Sequence, residues 1–154
     1  MSQQVVVERA LQLRRGGTSG ANAAPIVTIS CKNTSGAPIT RGSTVVLDTT
    51  NTTPGIIAVT LSGTASNAGV VGVATSNLAI GQSGEIQIWG PLNYLKANGT
   101  AAIVVGDTLG TAGSGGVAIK SATARFARAL EAYAGADNNG VIDAFVTNLN
   151  LFGV

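Results

Sequence analysis

The sequence predicts an all-β protein, a small β-barrel or sandwich preceded by an extended N-terminal arm. Three observations predict it. From Pro25 onward, apolar and polar residues alternate over short runs rich in Val, Ile and Thr, which is the period of a half-buried strand. Glycines at 42, 55, 63, 69, 84, 99, 106, 116 and 140 punctuate those runs at turn-like intervals. The chain also repeats itself. "GVATSNLAIGQSGEIQIW" (72–89) and "ARALEAYAGADNNGVIDAF" (127–145) each read as a small-residue strand, a spacer, a glycine and an alternating strand.

Residues 1–24 stand apart from the rest. "VVVERALQLRR" carries Arg9, Arg14 and Arg15 among the aliphatics Val5, Val6, Val7, Leu11 and Leu13, and "GGTSGANAAP" is a flexible connector. Such a segment is either a disordered terminus or an arm whose aliphatics dock on a neighbouring molecule. The division is therefore an arm and linker over 1–24 and a single β domain over 25–154. No h-region follows the N-terminus, since "VVV" is closed off by Glu8 and Arg9, and no signal peptide is expected.

Within the domain, "IVTISC" alternates, "STVVLD" is β-branched, and "GIIAVTL" places Ile57, Val59 and Leu61 on one face. "GVVGVAT", "GEIQIW", "AAIVVG" and "GVAIK" follow as further strands. The repeat extends upstream of its hairpins: "GAPITRGSTV" (36–45) and "TAAIVVGDTL" (100–109) share A-x-I-x-x-G-[S/D]-T-[V/L]. The duplicated units thus cover about 37–89 and about 101–145. Two copies are too few for a solenoid, which needs at least about three. They suit two halves closing one small barrel or sandwich. In "SATARFARALEAYA" (121–134), Phe126, Leu130 and Tyr133 have helical spacing, but alignment with "GVATSNL" makes its core a strand.

Aligning Gly84 with Gly140 pairs Ile86 with Ile142 and Ile88 with Ala144 as core positions. Glu85, Gln87 and Trp89 then share the opposite face with Val141, Asp143 and Phe145. Trp89 and Phe145 are candidate subunit or partner contacts, because a large aromatic on an outward face is usually covered by a partner. Alternatively, each caps a barrel end.

Composition excludes several functions. Charged residues are 10% of the chain, against about 25% in an ordinary soluble domain. A surface of Gly, Ala, Thr, Ser and Asn suits a protein held against neighbours. The net charge of +2 gives no basis for nucleic-acid binding. No apolar stretch approaches a membrane span, so no membrane partner is expected. The lone cysteine, Cys31, reads as a small buried hydrophobe, which fits assembly in a reducing cytoplasm. The sequons at Asn33, Asn51 and Asn98 are expected accidents of a Thr- and Asn-rich chain.

Without histidine, Ser-His-Asp and Cys-His nucleophiles and the commonest zinc sites are ruled out. "GTAGSGG" lacks the Lys-Ser/Thr of a phosphate loop, and "DNNGVID" (137–143) lacks the bidentate Glu of a calcium loop and reads as an Asn-Gly turn. No catalytic residue, metal or cofactor is expected. "GVID" (140–143) resembles the uracil-binding hairpin motif of trimeric dUTPases, but Val146 stands where that family's stacking tyrosine belongs.

A broader resemblance runs through "CKNTSGAPITRGSTVVLD", "GVVGVATSNLAIGQSGEIQIWG", "KANGTAAIVVGDTL" and "ARALEAYAG…GVIDAFV", roughly residues 31–147. In this order they resemble the capsid decoration, or cement, proteins of tailed bacteriophages. The resemblance implies a β-rich structural protein without catalysis or cofactor, usually a homotrimer, on the outer capsid of the virion. Its partners would be the major capsid protein and itself, and a terminal arm would reach over adjacent capsid subunits. The contrasting expectation is a carbohydrate- or receptor-binding β-module of a tail or spike, for which one Trp, two Tyr and three Phe supply little aromatic platform.

Overall fold

The computed structural model describes residues 14–15 and 25–147, apart from 66, 68 and 124. Ten strands and no helix occur among them: β1 (Arg14–Arg15), β2 (Pro25–Asn33), β3 (Thr44–Leu47), β4 (Ala58–Leu61), β5 (Val70–Ala74), β6 (Ser83–Ala97), β7 (Thr108–Thr111), β8 (Ala118–Lys120), β9 (Ala127–Ala129) and β10 (Gly140–Val146). The all-β expectation is met. The helical spacing around Phe126 resolves as the strand β9, which pairs with β7 and β10. Phe126 is fully buried, and Leu130 points to the surface, half exposed.

Strand pairing shows what the duplication does. The first half links β2, β4, β3, β5 and β6 in order, and β6 pairs back to β2. The second half links β6, β10, β9, β7 and β8, and β8 pairs back to β6. Each half therefore completes its own circuit of pairings, and β6 belongs to both. The halves match strand for strand, down to a parallel pair in each: Asn33 opposite Val59, and Ala97 opposite Ala118.

The matched motif supplies the same hydrogen bonds twice. Gly42 N donates to Ala74 O at 2.9 Å, and Gly106 N donates to Ala129 O at 2.8 Å. The Ile39–Leu78 bridge recurs as Ile103–Tyr133. The hairpins, however, correspond in a register two residues from the one that aligning Gly84 with Gly140 predicts. Ala74 faces Ile86, while its counterpart Ala129 faces Ala144, so Ile86 matches Ala144 and not Ile142. A shift of two keeps every side chain on its expected face. Ile86, Ile142 and Ala144 are accordingly buried.

β6 spans both halves because it bends. Gly90 takes φ +103°, a conformation that side chains avoid, and a Cβ there would stand 2.4 Å from the Pro25 carbonyl oxygen. Pro91 follows, lacking an amide for the ladder, where β6 passes from pairing with β2 to pairing with β10. Gln87 secures the bend: its Nε2 donates to the carbonyls of Gly90 (3.0 Å) and Pro91 (3.1 Å), and its Oε1 accepts from the Tyr94 hydroxyl (3.1 Å). Gln87 is thereby buried, which corrects its placement on the outward face beside Trp89. Alternation assigned it outward; the chain folding over it at Gly90 covers it.

The core lies in two clusters. One holds Cys31, Ile39, Val45, Leu78 and Ile86. The other holds Leu95, Leu109, Phe126 and Ile142, and it also takes in Val46, Val70 and Val73 from the first half. The outer face of the first half thus packs on the second.

Candidate functional site

The bend in β6 gathers the sequence-predicted contact residues that the structure describes. Trp89 ends the part of β6 paired with β2, and Phe145 lies on β10 opposite Pro91. Their rings meet edge to face, centroids 5.5 Å apart and planes at 86°. This geometry places a positive ring edge against a negative face. Trp89 remains 38% exposed and Phe145 half-buried, so the pair is braced from within and open on one side. Sequence alternation placed both outward; their contact across two strands was not visible in it.

The chain leading in from the N-terminus joins at the same place. β1 pairs with the start of β2, Arg14 opposite Ile26 and Arg15 opposite Pro25, and Val27 lies opposite Trp89. Pro25 and Ile26 pack against Gly90. The remaining predicted arm contacts, Val5, Val6, Val7, Arg9, Leu11 and Leu13, lie outside the described residues, as do the side chains of Arg14 and Arg15.

Beside the aromatic pair runs a cleft of about 310 Å³ lined by Ile26, Gln87, Pro91, Leu92, Asn93, Tyr94, Leu130 and Asp143. Its walls are largely apolar, with the Asp143 carboxylate at one side. Burial raises the Tyr94 hydroxyl above its ordinary value, the Arg41 guanidinium 3.9 Å from its ring centroid opposing this. That hydroxyl is committed to Gln87. Sequence reasoning missed Ile26, Tyr94 and Leu130 because they come from three distant segments. The helical spacing of Leu130 was the one signal that it left the strand pattern.

Elsewhere the polar groups close turns. Asp48 accepts from Thr34 Oγ1 (2.6 Å), Thr50 N and Oγ1 (2.9 and 2.7 Å) and Asn51 N and Nδ2 (3.1 and 2.9 Å), and these bonds hold its carboxyl well below the usual range. Asp137 accepts from the Tyr133 hydroxyl and the Asn139 amide, which lowers it likewise; the chain bends at 136–138, and Gly140 opens β10 instead of forming the Asn-Gly turn expected of "DNNGVID". Among the described residues no group of three potential ligands could hold a metal ion. Cys31 is buried, and desolvation pushes its thiol up to about 12, far from a nucleophile's range. Asn33 and Asn98, two of the sequon asparagines, stand at the end of β2 and just after β6, each accepting from the amide two residues on, Ser35 and Thr100.

Comparison with known proteins concerns the family and the fold. The sequence model of a family described as phage cement protein matches residues 28–144. No curated protein matches the chain. Among solved structures, the head fiber gp8.5 N base of bacteriophage phi29 is similar in fold, with a TM-score of 0.54 at 16% identity, covering 80% of this chain and 95% of that one.

Proposed function

The chain belongs to the phage cement protein family, and on that premise we propose that it binds the outer capsid surface and bridges neighbouring major capsid subunits. It is a structural protein of the phage capsid. The observation that carries the finer reading is the convergence at the β6 bend of the exposed Trp89–Phe145 pair, the apolar cleft and the entry of residues 1–24. A rigid aromatic pair is the kind of anchor on which binding energy concentrates. The segment entering beside it reaches further: the ten residues from Gly16 to Pro25, as a flexible coil, span roughly 15–20 Å, enough to meet an adjacent subunit. There the aliphatics Val5, Val6, Val7, Leu11 and Leu13 pack, while Arg9, Arg14 and Arg15 pair with carboxylates at the seam. A homotrimer multiplies these contacts on a repeating lattice, and low surface charge lets copies crowd.

The test uses capsids stripped of this protein and re-bound with purified chain. Trp89→Ala with Phe145→Ala, or deletion of residues 2–20, is expected to leave the β body folded and to weaken capsid binding at least about tenfold. The heat resistance of the particles should fall with it. Undiminished binding and heat resistance in both variants would overturn the bridging role. Light scattering should give a mass of three chains; a monomer both in solution and on particles removes the trimer. Hundreds of copies per particle accord with a capsid coat, and a handful would assign the protein to a tail or spike.

A further inference from the structure

One loop sets the two halves apart. In the second half, residues 112–117 join β7 to β8 as a short glycine-rich turn pressed against the first half. Thr44 N donates to Gly116 O at 2.7 Å, and a Cβ on Gly116 would stand 2.9 Å from the Ser43 Cβ. In the first half, residues 48–57 join β3 to β4 at the corresponding place, where no further half precedes them. This loop is longer and ends in two isoleucines, Ile56 43% exposed and Ile57 41%. It is stiffened from within. Asp48 accepts from the amides of Thr50 and Asn51, Ile56 N donates to Thr53 O at 3.1 Å, and Ile57 O accepts from Lys32 N at 2.8 Å. A pre-organised apolar knob loses little entropy on docking.

A hollow of matching character lies further along β2. Ile26 lines the apolar cleft beside the aromatic pair, with Pro91, Leu92 and Leu130. Ser30 and Lys32 line a smaller hollow of about 210 Å³ at the foot of Ile56 and Ile57. Alternation turns Ile26, Ser30 and Lys32 to one side of β2, and about 20 Å of strand separates Ile26 from Lys32. The knob and the cleft of one chain therefore stand apart. Their charges are complementary. Asp143 lines the cleft, and its amide donates to Glu131 Oε2 at 3.1 Å, which sets two carboxylates together. Among the described residues neither carboxylate pairs with a lysine or arginine, and Lys32 pairs with no carboxylate; the ion pair there is Lys120 with Asp107.

We propose that Ile56 and Ile57 of one chain enter the cleft of a second copy, with Lys32 set against that copy's Asp143 and Glu131. This rests on the homotrimer reading above and names the surfaces that join its subunits. Three copies about one axis cannot pair a patch with itself, so each must offer two different patches, here the knob and the cleft. The isoleucines and the cleft walls lose their water together. Trp89 and Phe145, beside the cleft, stay open to the capsid.

Light scattering of the purified chain over a range of concentrations tests this without a capsid. Ile56→Asp with Ile57→Asp should weaken assembly at least about tenfold, and so should Leu130→Asp, each with the circular dichroism of the parent. Mixing these two variants leaves one intact knob facing one intact cleft and should yield a mass of two chains. Lys32→Glu should weaken assembly, and adding Asp143→Lys to the same chain should restore it. Variants that keep the mass of a three-chain parent would overturn these surfaces while leaving the trimer standing. If they keep that mass but lose capsid binding, the loop belongs to the capsid contact and the proposal also falls. A mixture that stays monomeric, or a parent of one chain's mass at every concentration, would overturn the pairing as well.

Discussion

Thr44 and Thr108 occupy the same place in the duplicated motif, yet replacing each by valine should move stability in opposite directions. Both begin the first strand after the matched turn, β3 and β7. Thr44 is completely buried, and its Oγ1 has no hydrogen-bond partner. Thr108 Oγ1 donates to the Ser121 carbonyl at 2.5 Å. A buried hydroxyl without a partner carries an uncompensated desolvation cost of about 1–3 kcal/mol. Valine keeps the branched shape and strand preference, so Thr44→Val should stabilise by about 1 kcal/mol after allowing for local relaxation. Thr108→Val removes a made bond and should destabilise by about 1 kcal/mol. With a urea m-value of about 1–3 kcal/mol/M, the midpoints should shift by roughly 0.3–1 M, upward for Thr44→Val and downward for Thr108→Val. Both proteins must be compared at one chain concentration, because any association couples to stability. A lowered midpoint for Thr44→Val, or shifts of the same sign, would refute the reasoning.

Gly42→Ala should destabilise by at least about 3 kcal/mol, adding overpacking to the cost of a positive φ; the causes are φ +84° and a Cβ 2.0 Å from the Tyr94 carbonyl oxygen, and calorimetry reads the result. Stability should also fall in acid. The folded-state carboxyls of Asp48 and Asp137 lie below their unfolded values, so their contribution is complete above the unfolded value near about 3.9 and is lost as pH falls toward the folded one. Urea midpoints measured across that range should therefore drop below about pH 4. Asp48→Asn should cost about 2 kcal/mol at neutral pH and make the acid decline shallower, and an unchanged decline would remove Asp48 as a cause.

The sequence by itself determined the strands, their inward faces and the duplication. These are local properties: alternation has a period of two, turn glycines mark its breaks, and the A-x-I-x-x-G motif carries its hydrogen-bonding pattern wherever it is placed. Hence Ile86 and Ile142 were legible as core, and Trp89 and Phe145 as outward positions. Only the tertiary structure decided what those elements meet. The pairing of β5 with β6 and of β9 with β10, Ala74 opposite Ile86 and Ala129 opposite Ala144, moved the correspondence of the halves by two residues from the one that the glycines suggest. The bend at Gly90 buried Gln87 against alternation and brought Trp89, Phe145 and the entry of β2 to one face. Two identical threonines came to differ because Ser121 approaches one and no acceptor approaches the other. Each half also completed its own circuit through a shared β6, where the sequence alone suggested two halves closing one small barrel or sandwich. These outcomes rest on contacts made across turns, bends and whole strands, from Gln87 with Gly90 to Trp89 with Phe145, and a pattern with a period of two holds no record of the distance to its partner.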